Sequence, residues 1–310
     1  MDEGQKDGGA IDHQVPASVD RPIPAQARDD DTGNQSSQPR GSFSRIKEIS
    51  MNRHSTLAAM LLSAGLLGAA VSAHAAPAAT ARDGAPSVVI VHGAFADGSD
   101  WAKVVAILQE KGVPVTAVQN PLDSLSGDVA AATRAIDNQP GKVVLVGHSW
   151  GGAVITEAGK DDKVASLVYV SAFAPDAGQS VETLSKDLPK APGIDHIVAD
   201  ASGWLSLPPA VVAKFFAQDV PAKQARVMAA TQGPIKGSAF GEKISVASWH
   251  QKPSWFVISQ NDRMINPEAQ RIMARTIGAK VTELPTSHVP QQSRPADVAK
   301  VILDAVASVK

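Results

Sequence analysis

The sequence GHSWGG at residues 147–152 contains the pattern G-x-S-x-G directly after the strand-like segment KVVLV at residues 142–146. In a turn from a strand to a helix, this pattern holds the serine in a sharp, strained bend. The hydroxyl then projects above the edge of the sheet, beside a helix N-terminus whose dipole favours developing negative charge. The pattern therefore predicts Ser149 as a nucleophile, and the alternative is a glycine-rich turn that happens to contain a serine.

A serine nucleophile needs a base, and the base needs a carboxylate that orients it. Asp262 and His288 each follow a predicted strand, and the chain order serine, acid, histidine is one in which catalytic triads occur. We therefore predict Ser149, Asp262 and His288 as catalytic residues. Asp176, which follows the preceding predicted strand, is the rival for the acid, and a helix-capping role is the alternative for Asp262.

A tetrahedral intermediate on this serine would place negative charge on an oxygen that needs two backbone N–H donors. We expect one donor from Trp150, the residue after the nucleophile. The second is expected from the loop after the first predicted strand, where Ala94 is our choice and Phe95 is the alternative. Ala94 and Trp150 are thus the predicted oxyanion hole.

Other chemistry finds little support in the chain. We assign structural roles to His92 and His148. We expect His250 to be a surface or capping residue, with substrate contact as the alternative. The sequence has no cysteine, no H-E-x-x-H cluster and no phosphate-binding glycine motif. We therefore expect no metal ion and no cofactor.

The composition excludes some classes of partner. The chain has 310 residues, of which 44% are hydrophobic and 19% are charged, so it can bury a sizeable core. Its formal net charge is −2 and aromatic residues make up only 4%. Neither an electrostatic field nor stacking platforms for nucleic acid are indicated. A small molecule is the expected partner.

Strand-like and helix-like segments alternate from residue 87 onward, which predicts an α/β fold with a parallel sheet and helices on both faces. The predicted strands are 87–91, 113–118, 142–146, 164–171, 253–259 and 280–284. The predicted helices are 101–111, 128–137, 151–160, 267–277 and 295–309. Residues 174–250 interrupt this alternation, and we interpret them as an inserted helical cap with helical patterns at 209–217 and 221–230.

The first 75 residues differ from the rest of the chain in composition and lack the alternation of strand-like and helix-like segments. Residues 1–50 contain no apolar run and are expected to be a disordered extension, which an overlong gene model would explain. Residues 51–75 have the basic start, apolar stretch and small-residue end of a signal peptide. We therefore expect residues 76–310 to form a periplasmic or secreted domain without a membrane span. The alternative is an uncleaved membrane anchor at residues 55–73.

The aromatic residues suggest an apolar pocket under the cap. Those on catalytic loops or in the cap are Phe95, Trp150, Phe173, Trp204, Phe215, Phe216, Phe240 and Trp249. From these we predict the pocket residues Phe95, Phe173, Trp204, Phe215 and Trp249. The alternative is that these side chains form the cap's own small core.

Five segments resemble bacterial α/β-hydrolases related to plant methyl-ester esterases and hydroxynitrile lyases: HGAFADGSDW, GHSWGG, LVYVSAFAPDAGQS, SQNDRMINPEAQRIMA and SHVPQQSRP. The resemblance runs from about Ser87 to the C-terminus. It implies an α/β-hydrolase fold with about six mostly parallel strands and an inserted cap. It also supports Ser149, Asp262 and His288 as the triad.

Two departures narrow the activity within this resemblance. The lyases carry a hydroxyl residue where this chain has Gly93, and a lysine where it has Val289. Lyase activity is therefore not expected. The expected reaction is acyl transfer from a small ester or lactone to water. The alternatives are cofactor-free perhydrolysis of the haloperoxidase type and a non-catalytic protein that binds a small ligand on the same fold.

Overall fold

The computed structural model describes residues 85–310, so the predictions for residues 1–50 and 51–75 and for an anchor at 55–73 lie outside the described residues. The strands of this part are β1 (Ser87–Val91), β2 (Val115–Ala117), β3 (Val143–His148), β4 (Val164–Val170), β5 (Val198–Ala199), β6 (Trp204–Ser206), β7 (Ile235–Lys236), β8 (Ser254–Ser259) and β9 (Lys280–Leu284). The helices are α1 (Ala102–Glu110), α2 (Leu125–Asp137), α3 (Gly151–Ala158), α4 (Val181–Lys186), α5 (Pro209–Val211), α6 (Ala222–Thr231), α7 (Pro267–Thr276), α8 (Pro290–Ser293) and α9 (Pro295–Ala307). A π-helical turn, Val212–Phe216, extends α5.

Six strands form one parallel sheet in the order β2-β1-β3-β4-β8-β9. The central strands are continuous runs of mostly apolar, buried residues, because helices cover both faces of the sheet. The edge strand β9 exposes Lys280 and Glu283, and charges of this kind discourage further strand pairing. The prediction of a mostly parallel, six-stranded α/β sheet is confirmed.

Strand order fixes the place of the site. β1 lies between β2 and β3 in the sheet. The chain passes from β1 to β2 at one edge, and then returns to place β3 and the later strands on the other side of β1. The carboxyl ends of β1 and β3 therefore flank a topological switch point, where open α/β sheets bind ligands. Ala94 follows β1 and Ser149 follows β3, while Asp262 and His288 follow β8 and β9 on the same edge.

The segment inserted between β4 and β8 contains the expected helices and also a small antiparallel sheet of β5, β6 and β7. The sequence pattern missed this sheet because strands of two or three residues are too short to show alternation. A tight turn joins β5 to β6. The carboxylate of Asp200 accepts the backbone N–H groups of Ser202 and Trp204 at 2.8 and 2.9 Å, and Gly203 has a φ of 78°.

Helix ends explain smaller differences from the prediction. α2 begins at Leu125, earlier than the predicted residue 128, because the Ser124 hydroxyl accepts the Gly127 N–H at 3.0 Å and caps the helix. The predicted helix 209–217 is one α-helical turn followed by the π-helical turn. In the described part of the chain, no helix has both the length and the hydropathy needed to cross a bilayer.

Candidate active site

Ser149 lies in the sharp turn between β3 and α3, with a left-handed φ of 53°. Non-glycine residues rarely adopt this conformation, and it is a form of strain typical of functional turns. Its N–H donates to the Val170 carbonyl at 3.2 Å, which holds the turn against β4. A Cβ at Gly151 would lie 2.5 Å from the Val91 carbonyl oxygen. The close approach of α3 to β1 therefore requires glycine there.

His288 connects the serine to the acid. Its Nε2 lies 2.9 Å from Ser149 Oγ, and its Nδ1 lies 2.7 Å from Asp262 Oδ2. The imidazole is almost fully buried, and only 8% of Ser149 is exposed. The structure thus brings together the three residues that the sequence predicted as a triad. With Nδ1 donating to the carboxylate, Nε2 is free to accept the serine proton.

Asp262 accepts four hydrogen bonds, two on each carboxylate oxygen. The N–H groups of Met264 and Ile265 donate to Oδ1 at 2.7 and 3.0 Å. Oδ2 accepts from Gln270 Nε2 at 2.7 Å in addition to His288. Capping of α7, the alternative role for Asp262, is performed instead by Asn266, whose side chain accepts the Glu268 N–H.

Gln270 is a site residue that the sequence analysis missed. It is fully buried on α7, where its Nε2 also donates to the Ile265 carbonyl at 2.9 Å and its Oε1 accepts the Ser259 N–H at 3.1 Å. This side chain therefore fixes Asp262 relative to β8. The one feature of the sequence that could have indicated its role is that Gln270 is a polar residue on the otherwise apolar face of a predicted helix.

The rival acid, Asp176, does not contact His288. Its Oδ1 lies 2.9 Å from His250 Nε2, and both side chains are about half exposed. The backbone after β4 directs Asp176 towards the surface of the insertion. His250 accordingly lies at the surface, as expected.

The two amides predicted for the oxyanion are available in the described structure. The N–H groups of Ala94 and Trp150 donate to no acceptor among residues 85–310. The N–H of Phe95, the alternative, donates to the Gly233 carbonyl at 3.2 Å and is thus occupied. The local geometry therefore favours Ala94 over Phe95 as the donor from the first loop.

Two buried histidines hold the surrounding backbone. His92 accepts the Asn120 N–H on Nε2 at 3.0 Å, and its Nδ1 lies 2.9 Å from the Gly93 carbonyl. His148 Nε2 lies 2.8 Å from the carbonyl oxygen of His288 and positions that loop. Burial lowers the pKa of His92 and holds the pKa of His148 well below its usual value, so both rings are neutral.

An apolar cavity of about 260 Å³ opens above Ser149 and His288. Its lining comprises the residues Ala94, Phe95, Ser149, Trp150, Phe173, Val181, Glu182, Ser185, Ile194, Ile197, Leu205, Phe216, Phe240, Met264, Ile265 and His288. Of the residues predicted for the pocket, Phe95 and Phe173 line this cavity. Glu182 is the one acidic member of this lining, which contains no lysine or arginine.

Three predicted pocket residues lie elsewhere. Trp204 lines a separate cavity beside His92, since successive residues of a strand point to opposite faces and Leu205 is the one that lines the cavity above Ser149. Phe215 packs against the ring of His196, with centroids 4.7 Å apart. Trp249 donates Nε1–H to the Pro175 carbonyl at 3.0 Å.

Phe216 and Phe240 occupy the cavity in place of those three residues. The π-helical turn sends Phe216 towards His288, and their ring centroids lie 5.1 Å apart. Which aromatic residues line the cavity depends on the direction of side chains in the short elements of the cap. Amino-acid composition does not predict that direction. Within the described residues, no cluster of three or more histidine or acidic side chains is arranged to bind a metal ion.

Comparison with known proteins places the chain in a family. Residues 88–301 match the alpha/beta hydrolase family. A probable hydrolase of Phoma sp. is 24% identical over 241 residues, which cover 71% of this chain and 97% of that protein. A pyrethroid hydrolase of Sphingobium wenxiniae is 27% identical over 253 residues, covering 70% of this chain and 86% of that protein.

A solved structure shows the same fold. The pyrethroid hydrolase of Sphingobium faniae aligns with a TM-score of 0.61 at 22% identity, covering 72% of this chain and 98% of the other. The family match includes all six strands of the main sheet except for the first residue of β1. Because that match extends over more than half of the sequence, the chain belongs to the alpha/beta hydrolase family.

Proposed function

We propose that the protein hydrolyses a small carboxylic ester or lactone through an acyl-enzyme on Ser149. The observation that carries this proposal is the hydrogen-bonded chain from Ser149 through His288 to Asp262 at the floor of an apolar cavity. At the coarser level, family membership and the curated relatives, which are named as a hydrolase and a pyrethroid hydrolase, identify the chain as a carboxylic ester hydrolase.

In the proposed first step, Ser149 Oγ attacks the ester carbonyl carbon while His288 Nε2 takes the hydroxyl proton. The carbonyl π electrons move to the oxygen, and the N–H groups of Ala94 and Trp150 stabilise the resulting oxyanion. When the tetrahedral intermediate collapses, the bond to the leaving oxygen breaks. His288 then gives its proton to the departing alcohol.

In the second step, water attacks the acyl-enzyme and gives a proton to His288 Nε2. Collapse of the second intermediate releases the carboxylic acid and returns the proton to Ser149. Asp262 orients the imidazole and stabilises the imidazolium, while its backbone and Gln270 donors hold the carboxylate in place. The reaction needs no cofactor.

The cavity lining supports a neutral, apolar substrate group. Aromatic and aliphatic side chains surround the serine, and the lining contains no lysine or arginine that could pair with an anion. Gly93 also supports hydrolysis over lyase chemistry, because a Cβ at this position would lie 2.8 Å from Ser149 Cβ. Measuring turnover of p-nitrophenyl esters of rising acyl length, together with a lactone panel, would define the substrate class.

We further propose that the enzyme is exported, so that it acts in the periplasm or outside the cell. The support is the signal-like pattern of residues 51–75 in the sequence.

A fluorophosphonate probe tests the assignment of the nucleophile. The wild-type protein should be labelled on the peptide that contains GHSWGG, and Ser149→Ala should abolish labelling. The same change should lower ester turnover by roughly 10⁶-fold, the scale seen when a triad serine is removed.

Ser171→Ala is the matched control. Ser171 shares the left-handed backbone, with a φ of 44°, but its hydroxyl lies 2.7 Å from Ser259 Oγ and does not contact the histidine. This variant should still be labelled. Wild-type turnover by folded Ser149→Ala would refute the proposal, and faster product formation with added hydrogen peroxide would favour perhydrolysis.

A further inference from the structure

Asp128 is a fully buried carboxylate on the first turn of α2, outside the proposed triad. Its Oδ2 accepts Nε1–H of Trp150 at 2.7 Å, and its Oδ1 accepts the Leu122 N–H at 2.8 Å. No basic side chain of residues 85–310 pairs with it. A buried charge that relies only on two neutral donors is costly, so its presence calls for a role beyond packing.

The first partner of Asp128 belongs to the proposed oxyanion hole. Trp150 supplies the backbone N–H directly after the nucleophile, and its indole forms part of the cavity wall. The indole is 1% exposed and packs edge-on against Phe240, with ring centroids 5.1 Å apart. The hydrogen bond to Asp128 therefore fixes the orientation of the residue that carries one of the two proposed donors.

The second partner leads to the loop that carries the other donor. Leu122 has a left-handed φ of 58°, and its carbonyl accepts the Lys236 N–H at 2.8 Å. The Leu122 side chain packs closely against Gly233, since a Cβ added there would lie 2.9 Å from Leu122 Cδ1. The Gly233 carbonyl accepts the N–H of Phe95, the neighbour of Ala94. The carboxylate thus bonds Trp150 directly and reaches the first loop only indirectly, through the packing of Leu122 against Gly233.

We propose that Asp128 is a positioning residue that, through the Trp150 indole, holds the Trp150 amide in the geometry needed to stabilise the oxyanion. The inference rests on the proposed ester hydrolysis at Ser149. Catalytic donors act only when they point at the position that the oxyanion will occupy. A carboxylate suits this position because it accepts two N–H groups at once, whereas an asparagine would turn its own NH₂ towards one of them. Burial raises the pKa of Asp128 to about 6, against the effect of the two hydrogen bonds.

The test compares Asp128→Asn, Trp150→Phe and the double variant by steady-state kinetics and by affinity for an alkyl boronic acid. A boronate on Ser149 is tetrahedral and places a charged oxygen near the two amides, so its affinity reports on the oxyanion site. We expect Asp128→Asn to lower kcat about 10-fold to 100-fold, since small misplacements of catalytic groups have effects of this size. Boronate affinity should fall in parallel, and KM should change by less than about threefold.

Trp150→Phe removes the indole donor and keeps the backbone N–H. If Asp128 acts through Trp150, the double variant should be little worse than the poorer single variant. Asp123→Asn is the control, because that exposed carboxylate bonds only the nearby Ser124 hydroxyl among the described residues and should leave kcat unchanged. Should Asp128→Asn fail to fold, Trp150→Phe decides the test through kcat and boronate affinity.

The proposal is overturned if folded Asp128→Asn keeps wild-type kcat and boronate affinity while only its melting temperature falls. Independent, multiplying effects in the double variant would also overturn it, since they would show that Asp128 does not act through the indole. Wild-type protein that neither hydrolyses esters nor reacts with a fluorophosphonate would instead refute the proposed function, and this inference with it.

Discussion

Single hydrogen bonds distinguish the two candidate acids of the site. Asp262 and Asp176 both follow strands of the main sheet, but only Asp262 contacts His288, at 2.7 Å. We predict that Asp262→Asn lowers kcat by about four orders of magnitude, the effect of the corresponding change in a serine protease. The amide would favour the wrong imidazole tautomer while the fold is kept, which circular dichroism would check.

Asp176→Asn is the control for this change. Its carboxylate meets only the exposed His250 side chain and nearby backbone in the described structure, so kcat should change by less than about twofold. A larger loss of kcat in Asp176→Asn than in Asp262→Asn would contradict the assignment of the acid.

Asp100, a buried carboxyl group outside the proposed triad, affects how stability depends on pH. Burial and the adjacent charge of Asp97 raise the pKa of Asp100 from 3.8 to about 7. The folded state therefore binds this proton more tightly than the unfolded chain, and the contribution of Asp100 to stability falls as pH rises from about 4 to about 7. Asp100→Asn removes the ionisable group while keeping an acceptor for Gln292.

We predict that Asp100→Asn increases the free energy of unfolding at pH 8, and that the gain shrinks by about 2 kcal/mol or more at pH 4.5. Urea denaturation of both proteins at the two pH values would measure this difference. An equal effect of the substitution at both pH values would show that Asp100 does not titrate between them.

Among the elements, the contact of α3 with β1 determines whether the serine turn can form. A Cβ at Gly151 would lie 2.5 Å from the backbone carbonyl of Val91, which cannot move without disrupting the sheet. We predict that Gly151→Ala lowers the free energy of unfolding by about 3 kcal/mol or more, the upper range for overpacking. Urea denaturation and the yield of soluble protein would detect the loss.

Gly141→Ala is the matched control for that change. Its Cβ would meet only the Ala85 carbonyl, at 3.9 Å, which is an ordinary contact. The free energy of unfolding should therefore change little. Comparable losses in the two variants would mean that helix–strand contact is not the reason for glycine at residue 151.

For the whole molecule, export and processing form a separate prediction that follows from the sequence pattern of residues 51–75. The mature protein should begin near Ala76, because small residues precede this point as at a signal-peptidase site. Sequencing the N-terminus of protein purified from the native host would check this. Active cytoplasmic enzyme that retains residues 1–50 would contradict both the processing and the export.

The sequence alone was sufficient for features that depend on local pattern. Buried runs such as Val143–His148 indicated parallel strands, because a strand covered on both faces must be apolar throughout. The glycines around Ser149 indicated the sharp turn, since backbone contacts exclude a Cβ there. With strands and turns located, parallel topology places the residues after each strand at one edge, so Ser149, Asp262 and His288 could be expected to lie close together.

Tertiary structure decided what depends on the direction of side chains and on partners distant in sequence. It brought Asp262, and not Asp176, to His288, and in the described residues it left the Ala94 N–H without an acceptor while the Phe95 N–H has one. It also turned Phe216 into the cavity and its neighbour Phe215 away. No periodicity encodes these choices, because each arises where loops from separate strands and the inserted segment meet, and their packing exists only in the folded chain.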